Sequence, residues 1–305
     1  MFASAKKEFY RRRLTAGRYQ TLAIYTRALP GDMPSVRASK QAASNAAQRY
    51  FNNLSCEEKL RWALCCNFDV KPAAFATLTF SDDHLPDSRA ALRGLVKKWI
   101  GKCRRVFKQR GEDFPSIYTI EGQPDRRLSQ ADTAWETSPW VDGNKWAALD
   151  PDNEMPLADE QHRLHAHVFL ILPEAEDREL VRSFWPLGKV HINYIRVNDP
   201  KSFPRLAAYV TKEARLGIRP VGERSYTPSL GLKKPVIDGR WCDAGESIDY
   251  PPGVEDLGER KHSDPTTNTH FRMISYRFPR ENSAAPKSYQ SKGRISRSSK
   301  SSKSK

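Results

Sequence analysis

Short runs of β-branched and aromatic residues, partly with alternating apolar and polar positions, predict four strands in the middle of the chain. These strands cover 75–80, 116–121, 163–172 and 189–197. Apolar residues spaced three and four apart predict helices over 36–66, where Ser55 begins a second helix, and over 88–108, 176–184 and 202–217. A last strand is expected at 270–278.

The composition divides the chain into four parts. Residues 1–70 are expected to form a basic arm, up to about residue 35, followed by a helical N-terminal extension. Residues 71–236 hold the four strands, with 122–160 as an insertion that has no clear periodicity. A C-terminal extension is expected over 237–282, and 283–305 form a Ser/Lys/Arg tail that we expect to be disordered.

The charge balance indicates a polyanionic partner. The chain has 51 Lys+Arg against 36 Asp+Glu, which gives a net charge of +15. We find neither an apolar run long enough to span a bilayer nor an apolar signal-peptide core. The five cysteines form no C-x-x-C pair, so the sequence suggests neither a zinc finger nor a disulfide framework. These features predict a soluble protein of the cytoplasm that does not associate with a membrane.

Two histidines in the third predicted strand are candidate metal ligands. Successive side chains of a strand point to opposite faces, so His165 and His167 share one face. Imidazoles placed side by side can bind one divalent metal ion. The third ligand is either Glu121, at the end of the preceding strand, or His162. The alternative interpretation is two polar residues on a solvated sheet face.

Tyr209 is the candidate nucleophile. It lies outside the apolar stripe of its predicted helix, and Lys212 follows one turn later. A tyrosine nucleophile forms a covalent phosphotyrosine, which preserves the bond energy for rejoining. We therefore expect the Tyr209 hydroxyl to lie within a few ångströms of the ring nitrogens of His165 and His167. The alternative is an amphipathic tyrosine at the edge of the core.

Several segments, in this order, are similar to the motifs of one enzyme family. Phe-Ala-Thr-Leu-Thr-Phe at 75–80 looks like its first motif, His165-Ala166-His167 like its metal motif, and Tyr209-Val210-Thr211-Lys212 like its catalytic motif. The segments 185–190 and 224–232 also look like those of its phage members. Over residues 60–236 the chain resembles the rolling-circle replication initiators of the HUH superfamily, most closely those of small single-stranded DNA bacteriophages of the microvirus and filamentous types.

The resemblance implies an α+β fold of the RRM or palm type, with a central antiparallel sheet and flanking helices. It implies that Tyr209 is the nicking nucleophile, that Lys212 is an assisting cation, and that His165, His167 and Glu121 bind Mg²⁺ or Mn²⁺. The family's acidic residue normally comes shortly before the histidines, whereas here 122–160 intervene.

The implied function is metal-dependent nicking and joining of single-stranded DNA at a replication origin, in the cytoplasm of a bacterial host. The sequence has no G-x-x-x-x-G-K-[ST] motif, so a host helicase and a host polymerase are expected partners. The alternatives are a mobilisation relaxase, a single-tyrosine transposase, or a non-catalytic protein that binds single-stranded nucleic acid. Trp135, Trp140 and Trp146 would stack bases in that last case.

Overall fold

The computed structural model describes residues 7–28, 46–70, 72–122, 163–213, 223–264 and 269–280. Within them the fold is α+β and has two five-stranded antiparallel sheets. No helix among these residues is long and apolar enough to cross a membrane. The 122–160 insertion beyond Gly122, the tryptophans in it, His162 and the 283–305 tail lie outside the described residues.

The first sheet, sheet A, combines strands from both ends of the chain. Its spatial order is β8-β1-β2-β10-β9, and the strands are β1 (Lys7–Ala16), β2 (Tyr19–Ala28), β8 (Val236–Trp241), β9 (Glu255–Asp264) and β10 (Thr269–Arg277). A two-residue turn at Gly17 and Arg18 joins β1 to β2, and Gly17 has φ +60°. This positive φ suits glycine and the tight turns of β-hairpins.

The second sheet, sheet B, contains the predicted middle strands. Its order is β6-β3-β5-β4-β7, and the strands are β3 (Ala73–Leu78), β4 (Ile117–Glu121), β5 (His165–Ile171), β6 (Val190–Tyr194) and β7 (Thr227–Pro228). Four α-helices lie within the described ranges: α1 (Ala46–Asn67), α2 (Arg89–Gln109), α3 (Asp177–Ser183) and α4 (Ser202–Val210).

Helices cover both faces of sheet B. The α2 helix packs on one face through Leu92, Val96 and Trp99, against Ala166 and Val168 of β5. On the other face, α1 and α4 pack against Phe75 and Phe169, together with Leu14 and Tyr19 of sheet A. The period of two along β5 therefore places His165 and His167 on the side of α4, as the alternation predicts.

An ion pair between Arg18 and Asp69 connects the first hairpin of sheet A to the segment between α1 and sheet B. The Arg18 guanidinium donates to both carboxylate oxygens of Asp69, over 2.7 and 2.8 Å, and to the carbonyl of Phe278. The side chains of Arg18 and Asp69 are 11 % and 8 % exposed. The turn of the first hairpin is thus tied to the segment after α1 and to the end of β10.

Several sequence-based predictions are wrong. The described part of the expected basic arm is the β1–β2 hairpin, because β8 and β10 supply backbone partners for it. The helix after the arm does not restart at Ser55, since α1 runs through that residue. The expected C-terminal extension contains most of three strands, of which one was predicted. Ser202 does not cap α4; its hydroxyl donates to the Arg196 carbonyl, and Lys201 precedes the helix.

Candidate active site

Strand pairing brings Glu121 to the two histidines. β4 and β5 are antiparallel neighbours, with Glu121 opposite His165 and Thr119 opposite His167. Residues that face each other across a strand pair project to the same side of the sheet. All three candidate ligands, Glu121, His165 and His167, are buried, with exposures of 1–2 %.

The three side chains converge on one point. The Nε2 atoms of His165 and His167 are 3.2 Å apart. The Oε2 atom of Glu121 lies 3.7 Å from the Nε2 of His165 and 3.4 Å from that of His167. The ligand atoms of the group all lie within 4.8 Å of one another, so this group could hold a metal ion.

The backbone before β5 orients His165. The Nδ1 of His165 is 2.7 Å from the carbonyl oxygen of Arg163. Because a carbonyl can only accept, the tautomer that fits this contact has its proton on Nδ1 and its lone pair on Nε2, which faces Glu121. A histidine that donates one ring N–H to a carbonyl and presents the other nitrogen is the usual arrangement of a metal ligand.

His167 is held by two residues of β3. Its Nδ1 lies 3.0 Å from the hydroxyl oxygen of Thr77, and its ring stacks on Phe75 with centroids 4.8 Å apart. Burial lowers the pKa of His167 to about 4, although the Glu121 carboxylate opposes this shift. The imidazole is therefore neutral near pH 7, and a lone pair is available for a metal ion.

Glu121 fits the role of an anionic ligand. Burial by itself would raise its pKa, but Lys212 and both histidines outweigh burial and hold the pKa well below the usual value. Its Oε1 atom is buried and accepts no hydrogen bond from any described residue. A buried, ionised oxygen without a donor is costly unless a cation meets it. Two imidazoles and one carboxylate are a donor set that suits Mn²⁺ and other divalent ions.

The α4 helix and the residues after it bring a phenol and an ammonium to this group. The Tyr209 hydroxyl lies 3.5 Å from the Nε2 of His167, and Lys212 Nζ lies 2.7 Å from Oε2 of Glu121. The Lys212 ammonium also lies 3.8 Å from the centroid of the Tyr209 ring. Burial raises the pKa of Tyr209, and the positive charge of Lys212 opposes this only in part. The ammonium therefore does not make the phenol a phenolate by itself.

The groups that support the ligands were not predicted from the sequence: Thr77, Phe75, Gly122 and the Arg163 backbone. Alternation along 75–80 places Phe75 and Thr77 on one face and was the available signal for both. Gly122 has φ +87°, and a Cβ there would lie 2.2 Å from the Arg163 carbonyl oxygen. Glycine at 122 thus lets the end of β4 approach the carbonyl that orients His165.

Every candidate site residue that the sequence proposed and the structure describes lies in this one cluster: Glu121, His165, His167, Tyr209 and Lys212. The Tyr209 hydroxyl lies on the histidine side of the sheet, as expected. Of the two candidates for the third ligand, Glu121 belongs to the group. Comparison of the chain with protein-family models, with curated proteins and with solved structures finds no match.

Proposed function

We propose that the protein is a metal-dependent endonuclease and strand transferase that cuts and rejoins single-stranded DNA through Tyr209. The observation that carries the proposal is the 3.5 Å separation between the Tyr209 hydroxyl and His167 Nε2, beside the buried Glu121–His165–His167 group. A nucleophile that close to a metal group can attack a phosphate that the metal ion holds.

In the proposed step, the Tyr209 oxygen attacks the scissile phosphorus and the bond from phosphorus to the 3′ oxygen breaks. The phenol loses its proton and the departing 3′ oxygen gains one. The products are a 5′-phosphotyrosine and a free 3′-OH, so one phosphodiester replaces another. The reverse attack by a 3′-OH rejoins the strand without a nucleoside triphosphate.

The residues around Tyr209 have separate tasks in this step. Deprotonating an ordinary tyrosine at pH 7 costs about 4 kcal/mol, and burial of Tyr209 increases that cost. The Lys212 ammonium stabilises developing negative charge on the phenol oxygen and on the phosphate. Thr77 and the Arg163 carbonyl hold the two imidazoles so that their Nε2 atoms face Glu121.

His165, His167 and Glu121 would hold the metal ion, for which Mg²⁺ and Mn²⁺ are the candidates. When bound, such an ion neutralises charge on the scissile phosphate and helps to align it with the attacking oxygen.

The basic surface of α2 is an argument that the substrate is a nucleic acid. The helix has no acidic residue, and six of its basic side chains are exposed: Lys97, Lys98, Lys102, Arg104, Arg105 and Lys108. This α2 basic face lies on the side of sheet B opposite to the histidines. Like charges one turn apart destabilise a helix, and phosphates of a nucleic acid would relieve that repulsion.

The resemblance to phage initiators directs the proposal to replication. In this role the protein nicks single-stranded DNA at an origin, remains on the 5′ phosphate, and leaves a 3′-OH that a host polymerase extends. A host helicase would unwind the duplex, because the sequence has no P-loop motif of its own.

A covalent-adduct assay tests the function. A randomised pool of single-stranded oligonucleotides is labelled at the 3′ end, incubated with the protein and Mn²⁺, and separated on a denaturing gel. We expect labelled protein, because the fragment downstream of the cut carries the phosphate that joins Tyr209. With a 5′ label, the label is expected on a shortened free strand.

Tyr209→Phe is the decisive variant, and Tyr194→Phe is its matched control. Phenylalanine keeps the ring that packs near Phe75 and removes the hydroxyl, so DNA binding is expected to persist while the adduct is lost. An adduct formed by Tyr209→Phe would reject Tyr209 as the nucleophile. DNA binding without any Mn²⁺-dependent cleavage by the unaltered protein would favour the non-catalytic binder.

A further inference from the structure

A buried arginine, Arg89, lies at the N-terminus of α2, where helices usually have acidic residues and not basic ones. Arg89 is the first residue of α2, and the first turn of that helix has no acidic residue. A positive charge at a helix N-terminus is unfavourable because the helix dipole is positive there. The Arg89 side chain is nonetheless only 9 % exposed, so partners outside the helix must stabilise it.

Those partners lie on both sides of Glu121. The Arg89 guanidinium donates to the backbone carbonyls of Ile120, over 2.6 Å, and of Gly122, over 2.8 Å. It also forms an ion pair with Glu213 over 3.0 Å, and Glu213 in turn accepts a hydrogen bond from the Gly122 N–H over 2.8 Å. The two peptide units that flank Glu121 are therefore held by this pair.

The end of β4 has few other constraints in the described structure. β7 pairs with β4 only at Ile117 and Tyr118, whereas β5 pairs with it through Glu121. Arg89 and Glu213 supply further backbone contacts at the end of the strand that carries the candidate ligand.

The Arg89–Glu213 pair is also connected to Lys212, the cation of the site. Glu213 follows Lys212 directly in the chain, and Lys212 Nζ lies 2.7 Å from Oε2 of Glu121. The contacts thus close a ring that runs from Glu121 to Lys212, along the chain to Glu213, across to Arg89, and back to the backbone on either side of Glu121.

The charges around Arg89 balance. Arg89 and Arg93 both pair with Glu223, and Arg89 also pairs with Glu213. Two cations and two anions sum to zero, so this set adds little net charge beside the metal group. The contribution of this set is therefore to hold the neighbouring backbone in place. Guanidinium donors form a rigid planar fork, so their hydrogen bonds have fixed directions.

We infer that the Arg89–Glu213 pair is a positioning device that sets the place of the Glu121 carboxylate relative to Lys212 and the two histidines. Metal sites need their ligands held to within about 0.5 Å of the productive geometry. This inference rests on the metal site of the proposed function and not on the nicking step.

The test measures Mn²⁺ binding by the full chain, without DNA, using electron paramagnetic resonance of free Mn²⁺. Arg89→Lys keeps the charge but loses the fork, and Glu213→Gln keeps the shape but loses the charge. We expect each to weaken Mn²⁺ binding about tenfold to a hundredfold. Arg93→Lys, which alters a cation that contacts Glu223 in the same cluster, is the matched control with unchanged binding.

Saturating Mn²⁺ separates positioning from catalysis. It is expected to restore adduct formation by Arg89→Lys and Glu213→Gln, but not by Tyr209→Phe. Circular dichroism shows which variants fold. If Arg89→Lys does not fold, Glu213→Gln alone tests the inference.

Unchanged Mn²⁺ affinity in a folded Arg89→Lys or Glu213→Gln variant would overturn the inference, as would a failure of the unaltered protein to bind Mn²⁺. If the unaltered protein binds Mn²⁺ and these variants bind it weakly, the inference stands even when no adduct forms. In that outcome the proposed function fails alone.

Discussion

Lys212 Nζ lies 2.7 Å from Oε2 of Glu121, the same carboxylate oxygen that faces the Nε2 atoms of both histidines. The ammonium thus forms an ion pair with the carboxylate oxygen that lies beside both imidazoles, where a metal ion could also bind. The attraction of Glu121 raises the pKa of Lys212 against the effect of burial, so the side chain is a cation at neutral pH. A metal ion held by the group would therefore compete with Lys212 for this oxygen, although both cations would serve the proposed reaction.

Replacing Lys212 with methionine is expected to strengthen Mn²⁺ binding by about tenfold or more, because a positive charge next to the carboxylate is removed. Adduct formation is expected to fall in the same variant, because the charge beside Tyr209 is lost. Titration of the protein with Mn²⁺ and the denaturing-gel assay measure the two effects. Lys212→Arg keeps the charge as the control, and weaker Mn²⁺ binding by Lys212→Met would contradict the competition.

Thr77→Val tests the support of His167. Valine has nearly the shape of threonine but cannot bond to Nδ1 of His167, so we expect Mn²⁺ affinity to fall about tenfold to a hundredfold. The matched control is Thr119→Val, because Thr119 is also buried opposite His167 but its hydroxyl donates to the Ser225 carbonyl. Equal losses in both variants would indicate a general packing defect, which thermal unfolding would detect.

The α2 basic face is expected to contribute to the salt dependence of DNA binding. The triple variant Lys98→Glu, Lys102→Glu and Arg105→Glu removes three exposed cations from one helix. The slope of log affinity against log salt should become shallower by about 2 for single-stranded DNA, measured by fluorescence anisotropy.

The control for that experiment makes the same charge change at three exposed cations away from α2, through Lys234→Glu just before β8, Arg240→Glu in β8 and Lys261→Glu in β9. The slope for this control is expected to stay closer to that of the unaltered protein. Equal slopes for the two triple variants would mean that net charge, and not the α2 basic face, determines binding.

Two arginines of the first hairpin should differ in their importance for stability. Arg18→Met leaves Asp69 buried without its bidentate partner, so the free energy of unfolding is expected to fall by about 3–5 kcal/mol. Arg13→Met removes a cation from an ion pair with the half-exposed Asp238, and a loss below about 1 kcal/mol is expected. Urea denaturation measures both, and similar losses would show that burial of the Arg18–Asp69 pair is not decisive.

Local patterns predicted β3, β4, β5, β6 and α2 to within a few residues, since their apolar periodicity matches the period of a strand or helix. In sheet A the same patterns predicted β10 but failed for β1, β2, β8 and β9. β1 contains three consecutive arginines, Arg11–Arg13, and β9 is almost wholly polar, so neither has the alternation of a half-buried strand. Their strand conformation depends on hydrogen bonds to β2, β8 and β10, which come from distant parts of the chain.

The sequence by itself determined that His165 and His167 share a face, because side chains alternate along any strand, and that Tyr209 lies off the apolar stripe of its helix. Only the tertiary structure decided that Glu121 completes the group, because the choice requires the register between β4 and β5. It also decided that α4 covers the histidine face and that Arg89 reaches Glu213. These contacts join residues far apart in the chain, and no local periodicity encodes which distant surfaces will meet.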